Sequence, residues 1–277
     1  MSGGKVRIGV VAPGGRSTPE VAARVQALAA STYPRVEIVF HPQCFLAEGH
    51  FAGPDQARAD AFVEVANDPS FDALWFARGG YGAGRLTELV LPRLTEAAKA
   101  KTYLGYSDAG SLLGALYGRG FRNIVHGSMP QDIVRAGGEA AVARSLAWLV
   151  DRAPSSLEGG LVPGQKTAAF NLVILGHLLG TPWMPDLSGH VLLIEEVSEY
   201  MYRIDRNLVQ LTSNPDIRKV AGIRLGRCSD IPVNDPDFGR TEEEVARYWC
   251  ERAGIPYLGR ADIGHDVDNK VVPFGGI

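Results

Sequence analysis

The sequence has no dense run of Lys and Arg, no hydrophobic stretch long enough to cross a bilayer, no C-x-x-C pair and no repeat of fixed period. Each absence removes a class of function. With 28 basic against 31 acidic side chains and a net charge of −3, the chain lacks the basic surface that grips a phosphate backbone, so no nucleic-acid partner is expected. The longest apolar stretch, residues 168–180, is interrupted by Asn171 and His177 and falls short of the roughly 20 residues that span a membrane. No membrane association is expected. The apolar run over residues 8–12, which follows Lys5 and Arg7, is shorter than the roughly 7 to 15 residues of a secretion signal's centre, so no export is expected. The three cysteines, Cys44, Cys228 and Cys250, are odd in number and widely spaced, the pattern of a reduced cytoplasmic chain. His41 and His50 flank Cys44 at a spacing that matches no zinc site, and no metal is expected.

What is present describes an ordinary globular chain. Apolar residues make up 45% and charged residues 21%, enough to build a core. A length of 277 residues suits two domains of moderate size, since single cores stop growing at roughly 250 to 300 residues. Glycine is abundant, at 33 residues, so tight turns and close backbone approaches are expected. The first half alternates strands with helices: strands over 6–12, 36–40, 73–77 and 102–106, and helices after Thr18, over 55–66 and over 108–117. Thr18 caps the first helix with Pro19 at its first position, and Val21, Val25 and Leu28 form one apolar stripe. This βαβα order predicts a doubly wound, mainly parallel sheet of the Rossmann or flavodoxin kind, with ligands bound beyond the carboxyl ends of its strands. The loops after Ala12, Ala77 and Tyr106 are the places to look.

A helix is expected to end near Val150, and the segment APSSLEGGLVPG then begins at Ala153. The expected division is an N-terminal domain over 1–152, a linker over 153–165 and a C-terminal α/β domain over 166–277. In the latter, 189–194 and 220–225 read as strands, and Ile204, Leu208 and Leu211 as a helical stripe.

Chemistry is suggested first by the stretch Gly105-Tyr106-Ser107-Asp108-Ala109. A serine on a sharp strand-to-helix turn needs small residues two before and two after it, and Gly105 and Ala109 meet that need. The following helix directs free backbone N–H groups at the turn, where they can stabilise an oxyanion. Ser107 is therefore a nucleophile candidate, with a plain helix cap as the alternative. A nucleophile needs a base and a group that orients it. His265, in Asp262-Ile263-Gly264-His265-Asp266, lies in a glycine-bearing loop whose carboxylates would raise imidazole basicity; a solvated loop histidine is the alternative. His177 reads as a core or interface histidine, while His126 and His190 remain open. An apolar strand runs straight into Glu195-Glu196, which buries a carboxylate that needs a partner: an imidazole N–H, or else Arg203, Arg206 or a Lys on a neighbouring loop. The stretch from Arg78 to Arg85, RGGYGAGR, fails both glycine-rich nucleotide patterns on spacing. It suits a main-chain nest for an oxyanion or carboxylate, or a tight turn.

Together these segments resemble the serine LD-carboxypeptidases, also called muramoyltetrapeptide carboxypeptidases, which trim D-alanine from murein tetrapeptides. The matching stretches are the glycine loop over 78–84, the serine turn over 105–108, GTPWMP over 180–185, LIEEVSEYMYRID over 193–205, and 262–265, in the family's order. The resemblance implies Ser107 as nucleophile, Glu195 as the acid and His265 as the base, with the Asp108 and Gly80 N–H groups as oxyanion donors. An exopeptidase must also bind a free terminal carboxylate, for which Arg78 and Arg203 are candidate forks, with Gly79 and Tyr81 as further substrate contacts; no metal or other cofactor is implied. The resemblance further implies a doubly wound N-terminal domain, a smaller C-terminal domain with barrel-like strands, a murein peptide substrate and a homodimer. Tyr106 before the nucleophile and Ala169-Phe170 before Asn171 depart from the family pattern. Twelve residues follow His265, fewer than the resemblance implies, so a trimmed or partner-completed C-terminal domain is expected. Two other readings stand beside this one: a same-family hydrolase of aminoacyl-nucleotide antibiotics, and a non-catalytic module that binds an anionic ligand on the glycine loop.

Overall fold

The structure, a computed structural model, describes residues 5–277. In chain order the first unit contains β1 (Val6–Val11), α1 (Pro19–Thr32), β2 (Val36–Phe40), α2 (Asp55–Asn67) and β3 (Ala73–Phe76). Two single-turn helices follow, α3 (Thr87–Val90) and α4 (Glu96–Lys99), and then β4 (Thr102–Gly105), α5 (Gly110–Gly118), β5 (Ile124–His126) and α6 (Gly138–Asp151). The second unit has β6 (Thr167–Asn171), α7 (Leu172–Leu178), β7 (Val191–Val197), α8 (Met201–Ser213), β8 (Gly222–Ser229), α9 (Glu242–Ala253), β9 (Tyr257–Arg260) and the two-residue β10 (Val272–Pro273).

The first sheet runs in the order β10-β5-β4-β3-β1-β2, parallel throughout except for β10. Every residue of β3 and β4 is buried, because helices cover both faces, and such strands read as continuous apolar runs. Strand order reverses between β1 and β3, so the loops that leave their carboxyl ends diverge and open a crevice. The expected cap of α1 is present: the Thr18 hydroxyl accepts the Val21 N–H at 3.3 Å, with Pro19 opening the helix.

The second sheet is parallel, with the order β6-β7-β8-β9. Where barrel-like strands were expected, this sheet is open, and no closed barrel forms among the described residues. Its last elements return to the first sheet. Val272 pairs with His126, the Thr167 hydroxyl donates to the Pro273 carbonyl at 2.8 Å, and the Thr167 N–H donates to Gly275 at 2.7 Å. One apolar core runs across both units, from Phe62, Phe76 and Leu112 to Phe170, Leu192 and Leu208. The stripe Ile204, Leu208 and Leu211 is wholly buried, as its spacing requires. No helix among the described residues is long and apolar enough to cross a membrane.

Candidate active site

Ser107 stands directly past β4 with φ at +61°, in the left-handed region that a side-chain-bearing residue occupies at a cost of roughly 1–3 kcal/mol. The turn is as tight as its neighbours suggest. A Cβ on Gly105 would lie 2.5 Å from the Phe76 ring and 3.3 Å from Ala109 Cβ, so the small residues flanking Ser107 are a packing requirement. Gly79 presses on the serine from the glycine loop, where a Cβ would meet Ser107 Oγ at 2.9 Å.

Two groups hold this loop, one to the serine turn and one to the loops after β1 and before α2. Asp108, buried beside Ser107, accepts the Ala83 N–H at 2.7 Å. Burial pushes its carboxyl above the usual range despite the Ala83 and Gly82 N–H groups that favour the ionised form. Arg58, fully buried on α2, donates to the carbonyls of Gly53, Gly82 and Pro13. Arg85, expected to flank an anion nest, instead forms a fork with Asp55 at 2.6 and 2.9 Å.

Glu195 and His265 come from the second unit. His265 Nδ1 lies 2.5 Å from Glu195 Oε2, and its Nε2 lies 2.9 Å from Ser107 Oγ. A carboxylate only accepts, so Nδ1 bears the proton and Nε2 is left to accept the serine hydroxyl. Glu195 is wholly buried, and its Oε1 has no hydrogen-bond partner among the described residues. Burial lowers the His265 pKa, but the Glu195 carboxylate outweighs it, with help from Glu196 and Asp132, and the net shift is upward. Residues adjacent in sequence were expected to supply that shift. Asp262 and Asp266 instead turn to Arg227, with contacts of 2.5 and 2.8 Å, and so hold the His265 loop in place.

Glu196 points the other way. It accepts from Asn171 Nδ2 at 2.7 Å and from the Val197 and Val173 N–H groups at 2.9 and 3.0 Å, which ties the end of β7 to the start of α7. Consecutive strand residues face opposite sides, and the register shifts between Ile194 and Glu196, so both carboxylates can be buried on separate partners.

A cavity of about 190 Å³ opens over Ser107 and is lined by Arg78, Gly79, Gly80, Asp132, Arg135 and His265, among others. The remaining expected contacts lie elsewhere. Tyr81 is exposed and lines a separate hollow of about 530 Å³ with His177 and Trp183. Arg203 sits on α8, 3.4 Å from Glu199, and is not among the residues lining the serine cavity. His177 is exposed, which removes the core reading. His126 is buried and bonds to Asn269 at 2.9 Å; burial lowers its pKa and keeps it neutral. His190 meets the Tyr117 hydroxyl at 2.7 Å. Asp132, Arg135 and Arg227 were not anticipated. Each is a charged residue in a connecting segment or at a strand end, without periodicity or motif to single it out.

Known proteins resemble this chain over most of its length. The LD-carboxypeptidase N-terminal domain profile matches residues 8–127, and the LD-carboxypeptidase C-terminal domain profile matches 166–277. The chain belongs to the LD-carboxypeptidase family and is, at that level, a carboxypeptidase. It is 31% identical over 255 residues to a Synechocystis protein provisionally named a carboxypeptidase, covering 86% of this chain and 79% of the relative. To the murein tetrapeptide carboxypeptidase of Pseudomonas aeruginosa it is 29% identical over 250 residues, 82% of this chain and 78% of the relative. Among solved structures, muramoyltetrapeptide carboxypeptidase from Oxalobacter formigenes superposes with a TM-score of 0.79 at 26% identity, covering 97% of this chain and 93% of that one. The microcin C7 self-immunity protein MccF, solved with glutamyl sulfamoyl guanosine, shares the fold with a TM-score of 0.80 at 19% identity, over 98% and 91% of the two chains.

Proposed function

We propose that this protein is a serine carboxypeptidase that hydrolyses the L,D-peptide bond before the terminal D-alanine of murein tetrapeptides. The observation behind this reading is the unbroken series Ser107 Oγ, His265 and Glu195, at 2.9 and 2.5 Å. In this mechanism His265 Nε2 takes the Ser107 proton while Oγ attacks the scissile carbonyl carbon. Glu195 holds the Nδ1–H tautomer and stabilises the imidazolium as it forms. The carbonyl oxygen, now an oxyanion, receives the Asp108 N–H and the Gly80 N–H. Losing one such donor costs roughly 10²- to 10³-fold in rate.

Collapse of the tetrahedral intermediate breaks the C–N bond. His265 passes its proton to the departing amine, and an acyl-enzyme on Ser107 remains. Water, deprotonated by His265, then attacks the ester, and the serine hydroxyl is restored. Residues 1–152 supply the nucleophile and residues 166–277 the base and acid, so turnover needs the two parts held in register. Arg78 lies at the cavity where a terminal carboxylate would rest; Tyr81 and Arg203 lie outside it and fit only more distant parts of a substrate.

A second reading, hydrolysis of an aminoacyl-nucleotide, is favoured by one feature. The hollow of about 530 Å³ with Tyr81, His177 and Trp183 on its walls also borders Asp108, next to the nucleophile, and is roomy enough for a flat base. One assay separates the two. The purified protein is incubated with murein tetrapeptide, an all-L analogue and an aminoacyl sulfamoyl nucleoside, and released amino acid is measured. Alanine from the first alone supports the proposal. Release that survives Ser107→Ala undiminished would refute the serine mechanism.

A further inference from the structure

The serine cavity contains two guanidinium groups, and their partners differ. Arg78 donates through Nη1 to the Arg16 carbonyl at 3.1 Å and has no carboxylate partner among the described residues. Arg135 is fastened from behind: its Nε lies 3.1 Å from Asp132 Oδ1, and Nη1 donates to the His265 carbonyl. Its Nη2 has no acceptor among the described residues. Asp132 is itself occupied, since Oδ1 also receives the Tyr106 hydroxyl at 2.9 Å and Oδ2 the Met129 N–H at 2.8 Å. Arg78 and Arg135 face a single carboxylate in the lining, Asp132, whose pKa burial raises, so positive charge is in excess there. A negatively charged ligand would offset it.

Size narrows the ligand further. At about 190 Å³ the cavity, open on one side, is smaller than the roughly 300–1,000 Å³ that takes a drug-sized molecule and suits a small terminal group. Position narrows it again. Arg135 is bonded to the backbone of the residue that protonates the leaving amine in the proposed mechanism, so its guanidinium stands beside the His265 loop at the mouth of the Ser107 cavity. In a C-terminal amino acid the carboxylate lies only two bonds from that amine nitrogen.

We propose that Arg135, together with Arg78, is the fork that binds the free α-carboxylate of the leaving amino acid, and that this pair selects peptides with a free C-terminus. The inference rests on the hydrolase reading above and supplies its exopeptidase specificity. Tyr106 and Asp132 act as positioning residues that hold the Arg135 fork against the His265 loop. Arg203, the other candidate from the sequence, does not share in this cavity.

The test uses Ser107→Ala protein, so that binding is read without turnover. Calorimetric titration compares murein tetrapeptide with the same peptide amidated at its C-terminus. A charge-assisted fork predicts that the free acid binds roughly 10- to 150-fold more tightly than the amide. Adding Arg135→Gln should reduce that ratio to a few-fold, and Arg135→Lys should recover part of it. If both peptides weaken alike in Arg135→Gln, the residue is merely structural and the proposal is overturned. Equal binding of acid and amide with Arg135 intact, or no binding of either, also overturns it. Alanine release by the unmodified protein decides the hydrolase reading separately.

Discussion

Replacing Glu195 by Gln keeps the shape of the side chain and removes its charge, and the surroundings dictate the outcome. With its amide oxygen toward His265, Gln would preserve the Nδ1–H tautomer but bury an NH₂ group where Glu195 Oε1 now lies, a spot at which the carboxylate receives no hydrogen bond from the described residues. An unsatisfied buried donor costs roughly 1–3 kcal/mol. With the amide reversed, NH₂ donates to Nδ1, the ring proton moves to Nε2, and the serine loses its base. Either way the imidazolium of the transition state forms without a counter-charge. Opposite charges about 4 Å apart in an effective dielectric of about 20 attract by about 4 kcal/mol, equivalent to roughly 10³-fold in rate. The acid limb of the pH–rate profile supplies an independent signature. In the native protein Glu195 outweighs desolvation and holds the His265 pKa above the ordinary histidine value, so the midpoint of the acid limb should lie above that value. Without the carboxylate, desolvation prevails and that limb should move to lower pH even as the maximum falls. Single-turnover alanine release across pH 5–9 reads both effects. Activity within tenfold of the native protein, or an acid limb displaced upward, would refute the reasoning.

Two further substitutions test the supports of the site. Burial lifts the Glu196 pKa to about 7 despite its three hydrogen-bond donors. Between about 4.5 and about 7 the folded chain therefore holds a proton that the unfolded chain has released, and stability falls as pH rises through this window, by at most about 3 kcal/mol. Urea midpoints over that range should show the decline in native protein and a flatter line in Glu196→Gln; an unchanged slope would count against it. Gly226 lies on β8 under the histidine loop, where a Cβ would stand 2.7 Å from the Ile263 carbonyl and 2.9 Å from Glu195 Cβ. Gly226→Ala should cost roughly 1–3 kcal/mol in a thermal melt. It should also lower kcat about 100-fold, because a shift on the order of 1 Å between His265 and its partners is enough.

Much of the first unit is legible from local pattern. The strand over 36–40 and the Thr18 cap appear as their spacing implies, as does the buried stripe of α8 in the second unit, because alternation, capping and a 3.6-residue period are properties of neighbouring residues. Ser107 shows through the small residues at 105 and 109, whose need is set by the turn itself. Less is legible in the second unit: β9 and β10 are short and irregular, and α9 is strongly charged, so its apolar seam is narrow.

Sequence alone determined which side chains could serve as nucleophile, acid and base, since those depend on residue type and on the element each one ends. The tertiary structure alone decided their company. It turned Asp262 and Asp266 toward Arg227, gave His265 to Glu195, sent Glu196 to α7, and brought Arg135 to Ser107 across residues distant in the chain. The reason is physical: a buried charge takes whichever opposite group the packed layers bring within reach, and that proximity depends on how the two sheets meet.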